Sequence, residues 1–101
     1  MANPNPKFRR IYVTAPSHDF NALKKYTNDI VFVTTGYESL EQLGSAIKES
    51  LKDFDPTKDA IIPVGKVVWV FVHGAVLGNL NFKNVMIGIY KDGDYSFFRV
   101  N

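Results

Sequence analysis

The sequence predicts an α/β fold: a small three-layer Rossmann-like sheet in the order β-α-β-α-β-α-β-β, mostly parallel with a C-terminal antiparallel hairpin. Three observations predict it. Short β-branched runs alternate with helical patterns as far as Gly65, the order that builds parallel sheets from βαβ units. The run Ile30 to Val33 is apolar without alternation, as strands covered on both faces are. Lys91-Asp92-Gly93-Asp94 separates two β-rich runs, and Asp-Gly at the centre of a short loop is a strong hairpin signal.

Residues 1–8 read as a flexible lead-in, since two prolines and two asparagines precede Lys7 and favour turn or extended backbone. Residues 9–101 then form a single domain. Arg9 to Thr14 is rich in β-branched and aromatic residues and stops at Pro16, which suits a first strand. Ser17 is placed to cap a short helix, with Asp19 in its first turn and Phe20, Leu23 and Tyr26 on its inner stripe. Asp29 to Thr35 is the second strand. Ser39 and Gln42 make a capping box ahead of Leu40, Leu43, Ile47 and Leu51, which repeat at helical spacing. Glu41, Lys48, Glu49 and Lys52 form the solvated side. Pro56 disfavours helix at Asp55, and Asp59 to Val64 is the third strand.

The segment 66–78 carries two competing signals. Its valines favour a strand, but it lacks alternation and its length suits three helical turns, so it is expected to be a helix that completes a third βα unit. A strand there would instead make the C-terminal half a meander. Right-handed crossovers give the spatial order 2-1-3-4-5, with the last strand antiparallel at the edge.

Composition bounds the function. The chain has 101 residues, a net charge of +2 and no cysteine, which removes disulfides, thiolate catalysis and cysteine-bound zinc. Two histidines are too few for a histidine metal cluster, and no metal or other cofactor is expected. Asp53, Asp55 and Asp59 are interleaved with lysines and lack the glycine and terminal glutamate of a calcium loop, so a solvated loop is expected. No apolar run is long enough to span a bilayer and no signal segment opens the chain, so a cytoplasmic protein without membrane contact is expected. Lys7, Arg9 and Arg10 flank a strand rather than form a basic patch, which argues against nucleic acid.

Two surfaces emerge from the topology. The carboxyl ends of the parallel strands bring Ser17, His18, Thr34, Thr35, Gly36, Gly65 and Lys66 to one rim, where α/β sheets bind ligands and helix N-termini offer free N–H groups. A nucleotide or phosphate is the ligand this rim suits. The plain alternative is that Ser17 is a cap, the threonines end a strand and the glycines serve turns. His18 beside Asp19 lacks a nucleophile signature, so no catalytic residue is assigned and the protein is read as a non-enzyme.

The second surface follows from the layers. One helix lies on one side of the sheet and two on the other, yet the hairpin is apolar on both faces. Tyr95 and Phe97 are expected to be exposed with part of the fourth strand. With Trp69, His73, Ile87 and Arg99 they make a candidate interface for a protein partner or a homo-oligomer.

Leu51-Lys52-Asp53-Phe54-Asp55-Pro56, followed by Lys58-Asp59, Ile61-Ile62 and Gly65, resembles a signature of small, uncharacterised tailed-bacteriophage proteins. The quoted residues lie between positions 51 and 65 of the 101. The resemblance implies a phage source and a small accessory protein that binds and disables a host factor, and it transfers no functional residue. A nucleotide-sensing domain and a minor virion component are the alternatives.

Overall fold

The computed structural model describes residues 4–16 and 19–100, at Val67, Val68 and Phe71 by their backbone alone. The described residues form a mixed α/β domain: β1 (Ile11–Val13), a 3₁₀ helix (Asn21–Lys25), β2 (Ile30–Phe32), α1 (Leu40–Ser50), β3 (Ala60–Ile62), α2 (Val67–Asn79), β4 (Val85–Lys91) and β5 (Asp94–Val100). The five-stranded sheet runs β2-β1-β3-β4-β5. β2, β1, β3 and β4 are parallel and β5 is antiparallel to β4.

The segment from residue 67 is helical, so its apolar content reflects burial rather than strand propensity. Trp69, His73 and Val76 lie at helical spacing and are buried, and the exposed side is built from Gly74, Ala75 and Gly78. α1 follows its capping box: Gln42 N–H donates to Ser39 Oγ at 3.3 Å and Ser39 N–H to Gln42 Oε1 at 3.4 Å. Leu43, Ile47 and Leu51 are buried, whereas Leu40 is exposed. The inward stripe therefore starts one turn later than its spacing predicts.

Two expectations fail at the first crossover. Its helix is a five-residue 3₁₀ turn whose N-cap is Phe20, with no side-chain cap. Asp19 still serves it, accepting the Asn21 N–H at 2.8 Å, while Ser17 lies outside the described residues. β2 is not buried on both faces, because it is the edge strand and Phe32 is exposed.

Tyr12, Ile61 and Val85 face the two α-helices in one core cluster with Leu43, Ile47, Trp69 and Val76. Ile11, Val13, Ala60, Ile62 and Tyr95 face the other way, packed with Phe8, Phe20 and Leu23. Phe8, placed by sequence in the flexible lead-in, is thus a core residue, and its N–H bonds the Tyr26 carbonyl at 2.9 Å. Arg9 fastens this segment: its Nε and Nη2 reach the Asp59 carboxylate at 3.0 and 2.6 Å. Asp59 also accepts the N–H groups of Arg10 and Asp55, so it is a buried anchor and not part of a solvated loop. Arg10 pairs with Asp29. The basic flank of β1 is therefore spent on internal bonds.

The closing hairpin has the predicted turn. Asp92 and Gly93 both have positive φ, 53° and 84°, the pattern of a type I′ turn.

Candidate functional site

Two surfaces collect the residues singled out by sequence, and the structure redistributes them. The first is the rim at the carboxyl ends of β1, β2 and β3. A cavity of about 450 Å³ opens there, lined by Thr35, Gly36, Tyr37, Gly65, Lys66 and Trp69. Ala15 and Pro16, which follow β1, complete its wall. It lies between β1 and β3, where the strand order turns from β2 on one side to β3 and β4 on the other. Such a reversal is the general place for ligands in open α/β sheets.

Of the rim residues read from sequence, Thr35, Gly36, Gly65 and Lys66 line this cavity. Ser17 and His18 lie outside the described residues. Thr34 is not available, because it is buried and bonded on both sides. Its hydroxyl donates to the Thr14 carbonyl at 2.6 Å and accepts the Trp69 indole N–H at 3.3 Å. This chain of bonds fixes the start of α2 against β1 and β2. Gly65 turns into α2 with φ +104°, and a Cβ there would sit 3.3 Å from that of Ala15.

Glu38 shapes the opposite wall. Its carboxylate accepts the Thr35 and Gly36 N–H groups and the Thr35 hydroxyl at 2.9–3.1 Å. Burial works against its charge, but these bonds outweigh it and hold the carboxyl below the usual range. The Thr35–Gly36 amides are therefore occupied. At the start of α2 the N-cap residue Lys66 makes no side-chain cap bond, no acidic residue lies in the first turn, and among the described residues the first internal bond is Val70 N–H to the Lys66 carbonyl. The Lys66 ammonium sits 5.5 Å from the centre of the Trp69 ring, a cation–π distance.

Sequence reasoning missed Tyr37, which is 93% exposed at the mouth of this cavity. An aromatic wedged between a turn glycine and a helix cap, off the apolar stripe of α1, was the available signal.

The second surface is the hairpin, and here the exposed face is the opposite of the expected one. Tyr95 is buried and Phe97 half-buried. Phe8 packs tilted and Tyr26 edge-on against Phe97, with ring centres 4.8 and 5.0 Å away, and the Lys7 ammonium lies 5.2 Å from its centre. Layer counting failed because the lead-in and the 3₁₀ helix together supply this cover. Asp94 locks it, accepting the Tyr26 hydroxyl at 2.8 Å and pairing with Lys25 at 2.9 Å.

The face toward the α-helices is open instead. In register with half-buried Ile87, it exposes Ile89 (43%), Phe98 (47%) and Val100 (46%). Beside it runs a groove of about 540 Å³ between α2 and the hairpin, bordered by Leu77, Phe82, Val85, Ile87 and Val100.

Trp69 and His73, proposed from sequence for an interface, are both buried, Trp69 with an edge on the rim cavity. His73 Nδ1 donates to the Trp69 carbonyl at 2.7 Å, and its Nε2 has no partner among the described residues. Burial pushes its pKa below the usual histidine value. Arg99 is exposed but committed, its Nη1 bonding the carbonyls of Asn84 and Pro56 at 2.6 and 2.9 Å. Of the six residues proposed, Ile87 borders the open groove.

No helix among the described residues is long and apolar enough to cross a membrane. Nor do three His, Asp or Glu side chains gather there as metal ligands would. Compared with protein-family models, with curated proteins and with solved structures, the chain matches none of them.

Proposed function

We propose that this is a small non-enzymatic accessory protein of a tailed phage, and that it works by binding a protein of the host through the helix-side face of its C-terminal hairpin. The observation that carries the reading is the strip Ile89, Phe98 and Val100, three apolar side chains nearly half exposed on adjacent strands. It runs into the groove along α2. Contiguous apolar surface of this kind marks partner sites more often than it occurs by chance on monomers. The phage source rests on the resemblance of residues 51–65.

An antiparallel ribbon with large side chains on one flat face suits a protein surface better than a small molecule, which needs enclosure. β5 is also an edge strand whose outer backbone groups are unpaired by the sheet, so a partner can add main-chain bonds to the apolar contact. Binding in this mode would block the host protein without any chemistry.

The test is affinity capture from host lysate, run in parallel with Phe98→Ser, together with mass by light scattering. The reading expects a stoichiometric host protein retained by the wild type and lost in Phe98→Ser. Wild-type dimers dissociated by the same substitution would replace the host partner with a second copy. A monomer that captures nothing defeats the proposal.

A further inference from the structure

Independently of the hairpin, we infer that the rim cavity is a binding site for a nucleoside monophosphate, its base against Tyr37 and its phosphate beside Lys66 at the start of α2. The cavity itself carries the inference. About 450 Å³ lies within the roughly 300–1,000 Å³ range of small-molecule sites, and it opens at the reversal of strand order.

Its walls select the ligand class. Tyr37 and Trp69 are both aromatic, and Tyr37 presents a ring that is 93% exposed, with no neighbouring ring stacked on it among the described residues. A solvent-facing aromatic at a cavity mouth offers a face on which any base can stack. Burial in the core does not require it, since α1 already seats Leu43, Ile47 and Leu51 inward.

Charge sets the rest. Lys66 is the cation in the lining, and among the described residues it forms no ion pair; its closest charge-related contact is the Trp69 ring. Glu38 stands on the other side with its carboxylate fully bonded to Thr35 and Gly36. A single ammonium in the lining suits a single phosphate near Lys66 and disfavours a triphosphate, whose added charge would meet no further cation among the described lining residues. The uncapped first turn of α2 adds backbone N–H groups to the same end.

Trp69 is the only tryptophan in the chain and lines the cavity, so its fluorescence follows occupancy of this site, and the Tyr37 and Lys66 variants assign the response to it. AMP, GMP, CMP and UMP are titrated one at a time against the full-length protein, with adenosine and inorganic phosphate as controls. The expected result is saturable quenching by at least one monophosphate. Tyr37→Ala should weaken that binding about tenfold, and Lys66→Gln should weaken it similarly while leaving the response to the matching nucleoside unchanged. Both side chains are on the surface, and circular dichroism of the variants verifies the fold. Absence of saturable quenching by all four monophosphates overturns the inference. So does quenching that both substitutions leave unaltered, or inorganic phosphate competing as well as the nucleotide.

Discussion

The two faces of the C-terminal hairpin both carry large apolar side chains and are covered to different extents. On one, Tyr95 and Phe97 are covered by Phe8 and Tyr26, with the Lys7 ammonium over the Phe97 ring, and Tyr90 near the turn stays exposed. On the other, Phe98, Val100 and Ile89 remain close to half exposed although two α-helices lie on that side of the sheet. The difference teaches that cover depends on reach and not on the number of helices. α1 and α2 pack over β1, β3 and the start of β4 and stop short of β5. Lys7 and Phe8, with Tyr26 at the end of the 3₁₀ helix, reach Phe97 on the last strand.

The comparison can be broken first at Phe8. If the covered face is core, Phe8→Ala removes a buried aromatic and should cost about 3 kcal/mol, read as a lower urea midpoint with an unchanged slope. An effect below about 0.5 kcal/mol, the range of an ordinary surface change, would mean that the lead-in does not cover the hairpin.

A somewhat smaller effect sharpens the same face. Gly88 sits in mid-β4, where an added Cβ would come within 2.5 Å of Ile62 and of the Phe97 ring. Gly88→Ala should destabilise by about 1–3 kcal/mol through overpacking, and neutrality would show that Phe97 has room to move.

Acid tests the lock between hairpin and 3₁₀ helix. The bond from Lys25, with the Tyr95 N–H and the Tyr26 hydroxyl, holds Asp94 at about 2. A carboxyl depressed on folding adds stability that is complete above its unfolded pKa and lost as the pH falls through its folded value. The contribution should therefore vanish between about pH 4 and pH 2. Asp94→Asn should flatten that part of the stability profile, and an identical profile in the variant would remove Asp94 from the lock. The effect is modest because the pair is about half exposed.

Much of this fold is legible in the sequence, and the losses have identifiable causes. The capping box at Ser39, the Asp-Gly turn and the helix after Gly65 follow from local chemistry, so each is found where the residues place it. Phe8 is missed because two upstream prolines suggest a loose lead, while its burial depends on Tyr26 and Phe97, far along the chain. Asp59 is missed for the same reason: it looks like one of three loop carboxylates, and only its partner Arg9, fifty residues earlier, makes it a buried anchor. At the rim, Thr35, Gly36, Gly65 and Lys66 are readable from the strand-end rule. Thr34 is not, because the alternation that turns its hydroxyl toward Trp69 is set by register. The hairpin faces are hardest, since both alternate sets are apolar and sequence alone does not say which one the lead-in covers.

The most direct test of the open face is Phe98→Ser combined with Val100→Ser, measured for stability and for capture of the host protein together. The account predicts loss of the captured partner with a destabilisation below about 2 kcal/mol, because each side chain is about half covered. A destabilisation of more than about 2 kcal/mol, or undiminished capture by the double variant, would contradict it.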